Sequence, residues 1–123
     1  MDIGTDIIEI ERVDRLLKKY PHFRSRIFSA REISYCEQKK YPAQHYAARF
    51  AAKESIIKAL GNDAVSSFIR LRDLEIINGS SGKPEVFLRG QAKTLTQRKG
   101  IKEIKVSLSH CKTHAVAVVQ ISF

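Results

Sequence analysis

Residues 42–61 constrain the fold more than any other stretch of this chain. They read Pro-Ala-Gln-His-Tyr-Ala-Ala-Arg-Phe-Ala-Ala-Lys-Glu-Ser-Ile-Ile-Lys-Ala-Leu-Gly. Pro42 suits the first turn of a helix, and Gly61-Asn62 supplies its stop. Between them Ala47, Ala48, Ala51 and Ala52 thin the helix until another segment can approach its backbone closely. A helix so stripped of side chains packs against something, so the rest of the chain must be arranged around it. The same helix carries Glu54 and Lys58 one turn apart, on one face.

The remaining elements follow from local pattern. Residues 2–8 predict a short strand with Asp6 near its end. Near Glu9 the pattern turns helical, with Val13, Leu16, Leu17 and Tyr20 spaced to face the core and Pro21 ending the run. Ser29-Ala30-Arg31-Glu32 has capping-box spacing and predicts a helix to about Gln38. Leu74–Ile77 and Glu85–Leu88 flank a glycine-containing turn at 78–84 and predict a hairpin. Residues 90–99 predict a short helix. Ile104, Val106 and Leu108 alternate with polar residues as in a half-buried strand. The connection Cys111–His114 leads to 115–121, whose nearly continuous apolar run predicts a central or interface strand. Helices first and hairpins later predict an α+β fold, and 123 residues without a linker or repeat predict one domain, 1–123.

Composition narrows the setting. Hydrophobic content of 43% and charged content of 28% are those of a globular protein. No apolar run is long enough to cross a bilayer, and Asp2, Asp6 and Glu9 have the wrong sign for a signal peptide, which predicts a cytoplasmic protein. Cys36 and Cys111 lack metal-ligand spacing and predict free thiols, with no disulfide and no zinc. The net charge of +9 predicts affinity for a polyanion: nucleic acid, an acidic membrane face or an acidic protein.

Each candidate for chemistry has a plain alternative. Asp6 and Glu9 have the spacing of a helix cap, yet Asp6 and Glu54 together would hold a hard divalent cation. Glu54 and Lys58 could form a surface pair worth about 0.3–0.5 kcal/mol, yet a lysine beside two acids can take a phosphate. The combination points to magnesium-assisted chemistry on a phosphate ester. His110 at a strand end is an ordinary hydrogen-bonded residue or a general base. Gly82-Lys83-Pro84 passes as a turn, and His22, His45 and His114 form no pattern. Arg12, Arg15 and Lys19 recur opposite the apolar face, followed by Arg24, Arg26 and Arg31, with Glu11 and Asp14 as nearby acids. Such a stripe is a solvated face or a docking surface for an acidic partner.

Four segments carry a resemblance. Gly4-Thr5-Asp6-Ile7-Ile8-Glu9-Ile10 with Arg12, Phe50-Ala51-Ala52-Lys53-Glu54-Ser55 with Lys58-Ala59, Gly82-Lys83-Pro84, and Val106-Ser107-Leu108-Ser109-His110 resemble the motifs of the holo-[acyl-carrier-protein] synthases. These enzymes belong to the 4′-phosphopantetheinyl transferase superfamily. One departure is Asp2, where the family has a glycine. The resemblance implies a long helix packed on a mainly antiparallel sheet, in a homotrimer with sites between subunits. It implies transfer of 4′-phosphopantetheine from coenzyme A to a serine of acyl carrier protein, in fatty acid biosynthesis, leaving adenosine 3′,5′-bisphosphate. It implies magnesium, with manganese as a substitute, on Asp6 and Glu54, and a catalytic Lys58. It assigns coenzyme A to Lys58, Gly61, Lys83, Pro84, Ser109 and His110, and carrier-protein docking to Arg12, Arg15, Lys19 and Arg24.

The resemblance leaves the role of Lys53 open, while Glu9 reads as structural. The base is water held at the cation, a carboxylate or His110. Nucleic acid and membrane are not expected partners, since the stripe lacks interleaved aromatics. The rivals are a basic nucleic-acid-binding module and a noncatalytic coenzyme-A-binding protein. The presence of both acids speaks against the second.

Overall fold

A single long helix lies across an antiparallel sheet, and the way the two approach each other fixes where the chemistry can sit. The computed structural model describes residues 1–61 and 66–123. The order is β1 (Asp2–Glu9), α1 (Ile10–Lys19), α2 (Phe23–Ile27), α3 (Ala30–Glu37), α4 (Pro42–Ala59), two 3-10 turns at Ser66–Phe68 and Leu71–Asp73, β2 (Leu74–Asn78), β3 (Pro84–Leu88), α5 (Gly90–Arg98), β4 (Glu103–His110) and β5 (His114–Ser122). The main sheet runs β1-β5-β4, antiparallel throughout, and β2-β3 is a separate hairpin. This is the expected α+β arrangement, with 115–121 falling in the central strand. Asn62 of the expected helix stop lies outside the described residues.

The alanines act as their pattern predicts. Ala47, Ala51 and Ala52 are fully buried, and α4 packs against β1, β4 and β5. Gly4 sets the distance. A Cβ at this position would stand 2.1 Å from the Ser55 carbonyl oxygen and 3.1 Å from the Ala59 Cβ. Strand and helix therefore touch backbone to backbone, which no larger residue at 4 permits. Register then places Asp6 opposite Ala117, itself opposite Leu108, on the sheet face that α4 covers. The opposite face of the sheet leaves Ile3, Ile7 and Val118 47–69% exposed.

The helix is not amphipathic in the ordinary sense, because it also buries two cations. The Lys53 ammonium is wholly buried and donates to Glu32 Oε1 (2.7 Å) and to the carbonyls of Leu71 and Leu74 (2.8 Å each). Arg49 donates from Nε to the Ile76 carbonyl (3.1 Å) and from Nη2 to Asn78 Oδ1 (2.8 Å). Glu75 accepts from Ser29 Oγ (2.6 Å), Arg31 and Arg89 (3.0 Å each). These bonds fasten α3 and the hairpin to α4, and every buried charge among them has a partner.

Several local expectations resolve here. Ser29 and Glu32 form the capping box of α3 in both directions. The Asp6–Glu9 cap does not form. Asp6 lies within β1, and Glu9, the N-cap of α1, makes no side-chain cap bond. Tyr20 does not join the core; it is 48% exposed at the end of α1, with the Lys19 ammonium 5.5 Å from its ring centre. Pro21 ends α1 only for α2 to follow, and Phe23 of α2 packs edge-on against Phe50 at 5.8 Å. Both cysteines are free thiols. Burial pushes the Cys36 thiol up to about 12, whereas hydrogen bonding with Thr113 holds exposed Cys111 down to about 7. No helix among the described residues is long and apolar enough to cross a membrane.

Candidate functional site

The close approach at Gly4 brings the Asp6 side chain against the last two turns of α4. Lys58 Nζ donates to Asp6 Oδ1 at 2.8 Å and to the Thr5 carbonyl at 3.2 Å. Glu54 lies one turn earlier on the helix. Burial, then the negative charge of Asp6, push its carboxyl above the usual glutamate range, with the Lys58 charge opposing. The structure thus brings Asp6, Glu54 and Lys58 together from two segments nearly fifty residues apart. The local pair expected between Glu54 and Lys58 is replaced by a long-range one, Lys58 with Asp6. Lys53, the neighbour of Glu54 in sequence, points away into the buried network and takes no part.

The donors gathered at this point are oxygens: the Asp6 carboxylate, the Thr5 carbonyl and the Glu54 carboxylate. An ammonium group already bridges two of them. Among the described residues no set of three or more His, Cys, Asp and Glu side chains gathers around one point. A two-carboxylate site fits a hard cation such as magnesium, which keeps water and phosphate oxygens in its shell, better than it fits zinc. The Thr5 carbonyl was invisible to a reading of side chains.

Other expected residues lie elsewhere. Gly61 follows α4 with a positive φ of 98°, its N–H donating to the Lys58 carbonyl at 3.0 Å. Lys83 and Pro84 enter β3 and, with Val86, Lys105 and Ser107, line an open groove of about 820 Å³ between β3 and β4. Ser109 is exposed on the sheet face away from α4, opposite Val116. His110 sits opposite Ala115, which pairs with Ile8. It is therefore two strands, about 10 Å, from β1 and further along the sheet than Asp6.

The neighbour of His110 is His45, whose ring centre is 6.2 Å away. His45 meets Tyr35 edge-on at 5.9 Å, and the Arg49 guanidinium lies 4.2 Å from the centre of the Tyr35 ring. Burial, then the positive charges of Arg49, Lys39 and His110, push His45 below the usual histidine range. Sequence reasoning passed over His45. Its spacing of four from Arg49 on one helix was the available signal.

The basic stripe is real but narrower than its sequence. Arg12, Arg15 and Lys19 are exposed on α1. Arg15 is 3.8 Å from Glu11, and Lys18 is 2.9 Å from Asp14. Arg31 turns back to Glu75, and Arg24 lies 3.6 Å from Glu37, which also accepts from the Tyr46 hydroxyl at 2.5 Å. Arg12 and Lys19 have no carboxylate partner among the ion pairs of the described residues.

Comparison with known proteins is consistent along nearly the whole chain. Residues 2–119 match the family model of the 4′-phosphopantetheinyl transferase superfamily. The holo-[acyl-carrier-protein] synthase of Caldanaerobacter subterraneus subsp. tengcongensis is 47% identical over 116 residues, covering 94% of this chain and 90% of that protein. Among solved structures, the holo-[acyl-carrier-protein] synthase of Neisseria meningitidis superposes with a TM-score of 0.88 at 31% identity, covering 99% of this chain and 98% of that one. The Helicobacter pylori synthase, solved in complex with coenzyme A, gives 0.84 at 30% identity, covering 98% and 99%.

Proposed function

The chain belongs to the 4′-phosphopantetheinyl transferase superfamily, and we propose that it works as a holo-[acyl-carrier-protein] synthase. It transfers the 4′-phosphopantetheine group of coenzyme A to a serine hydroxyl of apo acyl carrier protein. Adenosine 3′,5′-bisphosphate leaves. The reaction belongs to fatty acid biosynthesis, in the cytoplasm. The working unit is the single domain 1–123, whose buried apolar residues form one cluster from Ile8 to Ile121.

The observation that carries this reading is the convergence of Asp6, Glu54 and Lys58. Attack of a serine on a pyrophosphate phosphorus requires charge neutralisation, in-line placement and removal of a proton. Asp6 and Glu54 would hold magnesium, or manganese in its place, and the bound ion would supply neutralisation of pyrophosphate charge. Lys58, with a side chain 53% exposed, reaches from the same point toward phosphate oxygens and the leaving group. Arg12, Arg15, Lys19 and Arg24 orient the acidic carrier. Gly61, Lys83, Pro84, Ser109 and His110 contact coenzyme A.

Those coenzyme contacts are too dispersed over one chain to surround one ligand alone. The exposed apolar residues Ile3, Ile7 and Val118 give the main sheet a surface for other copies, which supports a homotrimer with sites between subunits. The direct test is incubation with apo carrier protein, coenzyme A and magnesium, read by intact mass. Addition of the phosphopantetheine mass is expected. An unchanged carrier mass with a folded protein would refute the assignment.

A further inference from the structure

The contact between Lys58 and Asp6 has a meaning beyond phosphate binding. Lys58 Nζ donates to two oxygens of successive β1 residues, Asp6 Oδ1 at 2.8 Å and the Thr5 carbonyl at 3.2 Å. Both are hard oxygen donors, the kind that a divalent cation seeks, and one of them belongs to a carboxylate already assigned to the cation. From this geometry we propose that Lys58 is a tethered competitor for the divalent-cation site, displaced from Asp6 when the cation enters. The inference rests on the reading of Asp6 and Glu54 as cation ligands and adds a second role for the lysine.

The physical argument is one of shared donors. A magnesium ion binds carboxylate oxygen at about 2.1 Å. A cation sharing Oδ1 with the ammonium would stand only about 4 Å from it, and like charges at that distance repel even in water. Lys58 and the cation therefore compete for that oxygen, and Lys58 is the mobile one. It is able to leave because its side chain is half-exposed on a flexible four-carbon stem, and an exposed ion pair is weak. Phosphate oxygens offer it a new anionic partner. Cation and pyrophosphate thus favour each other through one side chain, and by linkage the coupling is reciprocal.

The test is binding of Mn2+ alone, without nucleotide, read from the electron paramagnetic resonance signal of the free ion. Lys58→Met, which keeps the stem and removes the charge, should bind Mn2+ roughly tenfold more tightly than wild type. Lys58→Arg, which keeps the charge, should stay near wild type. Unchanged or weaker binding by a folded Lys58→Met protein would overturn the competition. Tightening by Lys58→Arg equal to that of Lys58→Met would overturn it too, because charge would not be the cause. Asp6→Asn separates the two readings. Wild-type Mn2+ affinity in that variant, or no binding in both wild type and Lys58→Met at millimolar Mn2+, would instead refute the cation site itself.

Discussion

Lys53 and Lys58 lie five residues apart on α4, and each meets a carboxylate at nearly the same distance: 2.7 Å to Glu32 and 2.8 Å to Asp6. Their surroundings differ completely. Both members of the first pair are fully buried, and two backbone carbonyls satisfy the other ammonium donors. In the second pair the lysine is 53% exposed and the aspartate 20%. Burial makes the first pair expensive to disturb, because neither charge has water to fall back on. Exposure makes the second pair exchangeable, since water, a cation or a phosphate can replace either partner. One helix thus carries a fixed lysine and a movable one, and of the two only the movable one stands where substrates can reach.

The sharpest way to break this contrast is to remove the buried charge. Lys53→Met should destabilise the protein by about 3–5 kcal/mol, because Glu32 is left buried and unpaired. Urea denaturation measures it. A loss near that of an exposed pair would mean that the buried network is not the fastening it resembles.

Glu54→Gln should invert the pattern, with transfer falling at least about a hundredfold while stability holds. Its carboxyl is raised in the folded state, first by burial and then by Asp6. A raised carboxyl means that ionisation penalises the fold, so the penalty exists above the folded pKa and vanishes below the unfolded value. Glu54→Gln should therefore be at least as stable as wild type at neutral pH, with any gain disappearing in acid. Glu75 has the opposite sign. Burial pushes it up, but the bonds from Ser29 and Arg89 and the charges of Arg89 and Arg31 outweigh that and lower it. Glu75→Gln should lose stability at neutral pH, and the difference should close as pH falls through the lowered folded pKa. Melting curves of both variants across pH 3–7 check the two signs together.

Lys58→Ala should leave stability within about 1 kcal/mol of wild type. Its steady-state kinetics should show slower transfer and a raised KM for coenzyme A, with little change in KM for carrier. A melting shift as large as that of Lys53→Met would erase the contrast between the two lysines.

The smallest effect belongs to the exposed basic stripe of α1. Arg15→Glu with Lys19→Glu should raise the KM for carrier protein several-fold and remove most of its salt dependence, since attraction between exposed charges is screened within about 8 Å at physiological ionic strength. Normal carrier kinetics in this variant, with lost binding to duplex DNA or RNA, would reassign the stripe to nucleic acid.

Much of this was legible in the sequence, for reasons that also mark the limit. The capping box at Ser29, the hairpin at 74–88 and the bounds of α4 are local patterns, and local patterns survive folding. The pairing of Lys58 with Asp6 is not local. From sequence the natural partner of Lys58 was Glu54, four residues away, and only the register of β1 against β5 and α4 supplies a nearer one. Lys53 was unreadable for a related reason. Its acid, Glu32, is on another helix, and a lysine set between Ala52 and Glu54 carries no local mark of burial. Tyr20 failed differently: its spacing was right, but α1 stops at Lys19 and no longer aims the ring inward. His45 joined His110 only through the packing of α4 on β4.

Gly4 carries no functional group, yet it decides whether the acids act as a set. Adding a single methyl there would force the gap to the Ser55 carbonyl from 2.1 Å to at least 3.0 Å. β1 would retreat, and Asp6, the shortest acidic side chain available, has no slack with which to follow. A relative could therefore keep the aspartate, the glutamate and the lysine and still be inert. Residue identity at the reacting positions is a necessary signature, whereas the tolerance of the fit is written in a position that such a signature would omit.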